Sequence, residues 1–158
     1  MRRDNVIKQL KKYFQIYELV GPKTFRKHGD RAWKFFSTDA LEALLITRKG
    51  LKKKITINNW FWGGKFSQRG LRSNVQHIFK RMTELRKLYL SGHPLGEAFD
   101  FDVEGMTPEE VREWIVENGH LYPMRIRLEG KKNGKSINWI HLDTIQELHN
   151  VKVYIFDV

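Results

Sequence analysis

The chain has 158 residues, 41% of them hydrophobic, which suits one domain with a core of its own. Lys and Arg number 29 against 18 Asp and Glu, a net charge of +11, so the surface favours polyanions such as nucleic acid, anionic lipid or an anionic wall polymer. There is no cysteine, which excludes disulfides and thiolate zinc sites and leaves histidine and carboxylate as the only strong metal ligands.

The N-terminal stretch MRRDNVIKQLKKYF is too charged to supply the apolar segment of a signal peptide. Within it, Val6, Ile7, Leu10 and Phe14 recur at helical spacing and predict a helix over 4–14. Thr38 or Asp39 can cap a second helix whose Leu41, Leu44 and Leu45 face inward and which stops near Gly50. Its ALEALLI run is the longest apolar one and is far too short to span a bilayer. KKITIN (53–58) alternates and is β-branched, which predicts a strand. SNVQHIFKRMTELRKLY places Val75, Ile78, Phe79, Met82 and Leu85 on one helical face. TPEEVREWIVENG carries the clearest helix signature: Thr107 caps, Pro108 fits the first turn, Glu110 closes a capping box and Gly119 ends it. Strands follow at MRIRLE (124–129), SINWIHLD (136–143) and VKVYIF (151–156), and Asn133-Gly134 makes a tight hairpin between the first two. Helices first and an antiparallel sheet with flanking helices later make the chain α+β, and no linker or repeat divides it.

Between helix and sheet lies SGHPLGEAFDFDV (91–103). His93 and Asp100 cannot meet on a regular helix or one straight strand, but they converge if His93 ends a loop and Asp100 lies inside the strand AFDFDV. Gly96 and Ala98 then allow the tight turn and the close packing such a loop needs. Alternation sets Asp100 and Asp102 on one face and Phe99 and Phe101 on the other. A catalytic zinc site takes three protein ligands and leaves a position for water. His141, set among Trp139, Ile140 and Leu142 in a buried strand, is the candidate third ligand, with His149 in reserve. His28, His77 and His120 have no partner at ligand spacing and read as surface residues. NNWFWGG (58–64) can pack a loop on the core, wall a cleft or form a carbohydrate platform. RKGLKKK (48–54) and KRMTELRK (80–87) read either as solvated faces or as contacts for an anionic partner.

SGHPLGEAFDFDV followed by WIHLD resembles the zinc D-alanyl-D-alanine carboxypeptidases and phage L-alanyl-D-glutamate endopeptidases, in particular compact members encoded by phages and prophages. The family pattern S-x-H-x-x-G-x-A-x-D, then H-x-D, is matched at Ser91, His93, Gly96, Ala98 and Asp100, and at His141 and Asp143. The resemblance covers about residues 55–156, the metal-site core, and follows an N-terminal helical part of about 1–50. It implies a hedgehog/D,D-peptidase fold, one Zn²⁺ held by His93, Asp100 and His141, and a peptidoglycan stem peptide as substrate. It also implies a substrate-binding arginine, with Arg72 the first choice and Arg69 the second, and a role for Ser91 toward the substrate carboxylate or its own loop. Many members carry an acid three residues before the last histidine; here that residue is Asn138, which cannot accept a proton. The general base then falls to Glu129 or Asp143, although Asp143 could equally orient a ligand imidazole. With a tight Asn133-Gly134 turn, Glu129 lies roughly 5 Å across from Asn138 and on the face opposite His141, unless a bulge intervenes.

Two functions are therefore expected. The first is a zinc peptidoglycan peptidase, endo- or carboxypeptidase, released from the host cytoplasm by a holin or carried in a virion, its basic surface adsorbing to an anionic wall polymer. The second is an inactive virion structural or basic nucleic-acid-binding protein that keeps the fold; scattered lysines allow weak non-specific nucleic-acid binding in either case. Oligomeric state is open at this level.

Overall fold

The computed structural model describes residues 3–87, 91–146 and 150–158. Five α-helices occur among them: α1 (Arg3–Leu10), α2 (Pro22–His28), α3 (Thr38–Leu51), α4 (His77–Glu84) and α5 (Pro108–Glu117). No helix among the described residues is long and apolar enough to cross a membrane. His149 lies outside the described residues.

Capping explains the helix boundaries. α3 starts one residue before the expected cap, on Ser37, whose Oγ accepts from Ala40 N at 3.1 Å. Thr38 is already engaged, because its hydroxyl accepts from Arg3 at 2.9 Å. The same guanidinium donates to Phe36 O at 2.7 Å, tying α1 to the start of α3. α5 has the predicted capping box, with Glu110 N donating to Thr107 Oγ1 and Thr107 N to Glu110 Oε2. α4 is shorter than its periodicity predicts, with Gln76 as its cap, so Val75 precedes it and Leu85 follows it. None of its residues is buried, and Val75 and Leu85 are exposed.

The strands are β1 (Ile55–Thr56), β2 (Ala98–Val103), β3 (Ile126–Glu129), β4 (Lys131–Lys132), β5 (Lys135–Ser136), β6 (Ile140–Asp143) and β7 (Val153–Phe156). Five of them form one sheet in the order β1-β2-β6-β3-β7, while β4 and β5 form a separate hairpin. The α+β class holds, but the sheet is mixed rather than antiparallel, because β7 pairs parallel to β3. Alternation along VKVYIF determines which faces its side chains take and says nothing of the direction of its neighbour. β6 occupies one side of β3 and, running antiparallel, ends beside its beginning, with Asp143 opposite Arg127, so the chain that returns on the other side starts there and runs the same way as β3.

The hairpin and the sheet run in different registers. Asn133 (φ 51°) and Gly134 (φ 74°) make the two-residue turn, which pairs Lys131 with Ser136 and Lys132 with Lys135. Continued inward, that register would oppose Glu129 to Asn138. The sheet instead pairs Arg127 with Asp143 and Leu128 with Leu142, so Glu129 stands against His141. Residues 137–139 form the bulge that separates the two registers, splitting the predicted strand over 136–143. Arg112 of α5, itself buried, satisfies the bulge by donating to Ile137 O (3.1 Å), Trp139 O (2.9 Å) and Glu129 O (3.1 Å).

Candidate metal centre

β2 divides the molecule. Phe99 and Phe101 are fully buried in the core, where Phe99 stacks on Phe36 with centroids 5.2 Å apart. Asp100 and Asp102 point to the opposite face. β2 and β6 run antiparallel with Asp100 directly opposite His141, so these two side chains share a face. Asp100 Oδ1 and His141 Nδ1 lie 2.7 Å apart.

His93 arrives from the turn between α4 and β2. Gly96 has φ +70°, and a Cβ there would stand 2.0 Å from Phe35 O, so only glycine fits. Its carbonyl accepts from Ser37 N at 2.9 Å, which seats the turn on the start of α3. His93 is buried, with Nδ1 2.8 Å from Gly70 O. A carbonyl can only accept, so Nδ1 carries the proton and Nε2 presents its lone pair. That Nε2 makes no hydrogen bond: Asp100 Oδ2, 3.2 Å away, is an acceptor like Nε2 itself.

Ligand atoms of His93, Asp100 and His141 all lie within 4.8 Å of one another, and all three residues are buried. Such a group could hold a metal ion. The donor set fits: one buried nitrogen has its lone pair unused, and a second faces the same carboxylate. Behind His141, Nε2 lies 3.0 Å from Asp143 Oδ2. Arg127 clamps Asp143 in turn, with Nε donating to Oδ1 (2.8 Å) and Nη2 to Oδ2 (3.0 Å). Asp143 is 1% exposed, and its Oδ1 also accepts from Ile145 N.

Electrostatics follow from this packing. Burial would lower the pKa of His141, but hydrogen bonds to Asp100 and Asp143 override it and raise the value to about 9. Burial would raise Asp100, yet His93 and His141 hold it well below the ordinary carboxylate range. Burial lowers His93, against the pull of Asp100. With His141 doubly protonated at neutral pH, a metal must take the place of the Nδ1 proton. Calorimetric titration of zinc into metal-free protein, in buffers of different ionisation enthalpy, should therefore register release of about one proton per metal at pH 7.

The remaining predicted residues surround this group. Ser91 Oγ accepts from His93 N at 3.4 Å, within its own loop. Arg72 donates to Asp100 Oδ2 (2.7 Å) and to Gln68 O (2.7 Å), whereas Arg69 pairs with Asp102 and lies 3.6 Å over the Phe66 ring. Both arginines line a cleft of about 560 Å³ that also contains Asp100, Asn138 and Trp139. An adjoining cleft of about 410 Å³ holds Ser91, His93, Glu129, His141 and Asp143. Among the described residues no partner holds the Glu129 carboxylate.

Three contributors escape sequence reading. The Gly70 carbonyl carries no side-chain signal; a Cβ on Gly70 would stand 1.9 Å from Leu19 O, so the chain passes too closely for any other residue. Alternation in MRIRLE places Arg127 on the polar face, but only the register aims it at Asp143. Arg112 of α5 is buried against the bulge, a role that depends on where α5 packs and that no local pattern announces. Asp143→Asn should weaken metal binding by about 10–100-fold while leaving the three ligands in place, as competition with a chromophoric chelator would report. No protein-family model, curated protein or solved structure matches the chain.

Proposed function

We propose that the chain is a zinc-dependent peptidoglycan peptidase of the hedgehog/D,D-peptidase type, hydrolysing a stem-peptide bond next to a D-amino acid. The observation that carries this reading is the buried pair of imidazoles and one aspartate, each imidazole with its second nitrogen engaged, at the junction of two open clefts. His93 Nε2, Asp100 and His141 Nδ1 would hold the zinc. When bound, zinc lowers the pKa of a water molecule and polarises a carbonyl oxygen.

The chain's own groups do the rest. Glu129 stands across the strand from His141 and accepts the proton that the attacking water gives up, then returns it to the leaving amine. Asp143, held by Arg127, keeps the His141 ring in its ligating tautomer and is a positioning residue. Arg72 and Arg69 line the larger cleft, where either would take a substrate carboxylate in exchange for the aspartate it now faces, Asp100 or Asp102. An anionic wall polymer adsorbs to the basic surface.

The test is hydrolysis of purified stem peptides and intact peptidoglycan, followed by mass spectrometry. Cleavage beside a D-residue, abolished by EDTA and restored by zinc, supports the reading. No cleavage of any stem peptide by protein that carries stoichiometric zinc would sink it.

A further inference from the structure

Residues 59–66, NWFWGGKF, form a stiff loop whose construction exceeds what the core requires. Phe66 N donates to Asn59 Oδ1 at 2.9 Å, Trp60 N to Phe66 O at 3.1 Å and Gly64 N to Asn59 O at 3.1 Å, closing the loop on itself. Gly63 takes φ +82°, and a Cβ on Gly64 would strike the Asn59 side chain at 2.2 Å, so both glycines are needed to keep it tight. Trp60 is the anchor, its indole N–H donating to Val20 O at 2.8 Å.

The next two rings face solvent. Phe61 is 49% and Trp62 61% exposed. Tyr17 stacks on Phe61 with centroids 4.0 Å apart at 11°, and Trp62 stands edge-on to Tyr17 at 5.4 Å and 83°. Neighbouring exposed aromatics on a rigid loop cost solvation without adding to the core, which is the mark of a binding surface. At its other end the same loop enters the larger cleft, through Lys65 and Phe66.

We infer that this aromatic loop binds the glycan strand of the wall polymer, with Trp62 and Phe61 stacking on sugar rings, while the stem peptide on that strand occupies the metal cleft. The choice of polymer rests on the peptidase reading. A sugar ring offers a C–H face that stacks on an indole and needs no charge. A nucleic-acid strand would need a row of cations following its phosphates; the loop itself has one, Lys65, already 5.3 Å over the Phe66 ring, and the other cations near the rings, Lys23, Arg26 and Lys27, belong to α2, whose Phe25 stands edge-on to Phe61. The platform thus lies at the tip of the loop and the cleft at its base, so a branched ligand can reach both.

The test uses a β-1,4-linked N-acetylglucosamine hexamer and peptide-free glycan strands, titrated into wild type, Trp62→Ala, Trp62→Phe and Phe61→Ala by tryptophan fluorescence and calorimetry, with and without EDTA. Saturable binding is expected, indifferent to EDTA, at least about tenfold weaker in Trp62→Ala and largely recovered in Trp62→Phe, with unchanged melting temperature. Absence of saturable binding, or equal affinity in Trp62→Ala, overturns the inference. So does displacement by oligothymidylate with a steep salt dependence, which would assign the rings to nucleic acid. Turnover of a short free stem peptide is scored separately. Its absence in wild type would count against the peptidase reading alone, because glycan binding is measured without metal.

Discussion

Asp100→Asn should leave the protein without stoichiometric metal and cost it about 3–5 kcal/mol of folding stability in EDTA, the range for removing one partner of a buried charge cluster. Asp100 is the hinge of the site: its Oδ1 faces His141 Nδ1 at 2.7 Å, and its Oδ2 takes Arg72 at 2.7 Å with His93 Nε2 3.2 Å away. The amide is nearly the same size, so packing survives, but it cannot ligate as an anion and leaves the Arg72 guanidinium, mostly buried, without its counter-charge. His93→Ala separates the two effects, since it removes a ligand and no anion. Elemental analysis should find about one zinc per chain in wild type and none in either variant. Urea unfolding in EDTA should show the larger loss in Asp100→Asn. Wild-type zinc content in Asp100→Asn would mean that the metal sits elsewhere.

On the proposed peptidase reading, Glu129→Gln should lower kcat on stem peptide by about 10²–10⁴-fold, the usual range for a lost general base, with zinc content and melting temperature unchanged. Strand register sets the position of Glu129. The three-residue bulge at 137–139 moves Glu129 from opposite Asn138 to opposite His141, and an odd offset exchanges the faces of the strand. Asp143, the other candidate, is enclosed. Both of its oxygens accept from Arg127, Oδ2 faces His141 Nε2, and Oδ1 takes Ile145 N, which leaves no lone pair directed at a substrate. Kinetics of Glu129→Gln and Asp143→Asn, each at saturating zinc, discriminate the two. Loss of kcat confined to Asp143→Asn would transfer the role of base to Asp143.

Local chemistry settled much of this protein in advance. The capping box of Thr107 and Glu110, the Asn133-Gly134 turn and the alternation of AFDFDV involve residues a few positions apart, and their physics acts within a turn or a strand. His93, Asp100 and His141 could be picked out for a related reason: imidazoles and a carboxylate beside apolar neighbours and small residues need a special reason to be buried.

What remained depended on how distant segments pair, and pairing is decided by the whole core at once. The parallel placement of β7 follows from the end of β6, which lies beside the start of β3, and from the side of β3 left open. The bulge that turns Glu129 toward His141 exists because the hairpin and the β3–β6 ladder demand different registers, and Arg112 from α5 supplies the donors that let the bulge's carbonyls be buried. The orienting carbonyl of Gly70 belongs to a segment 23 residues before His93 and carries no side chain to announce it. Sequence determined which residues could form a metal centre; only the tertiary structure decided which atoms of those residues face one another, because strand register and backbone approach are long-range properties of the packed chain.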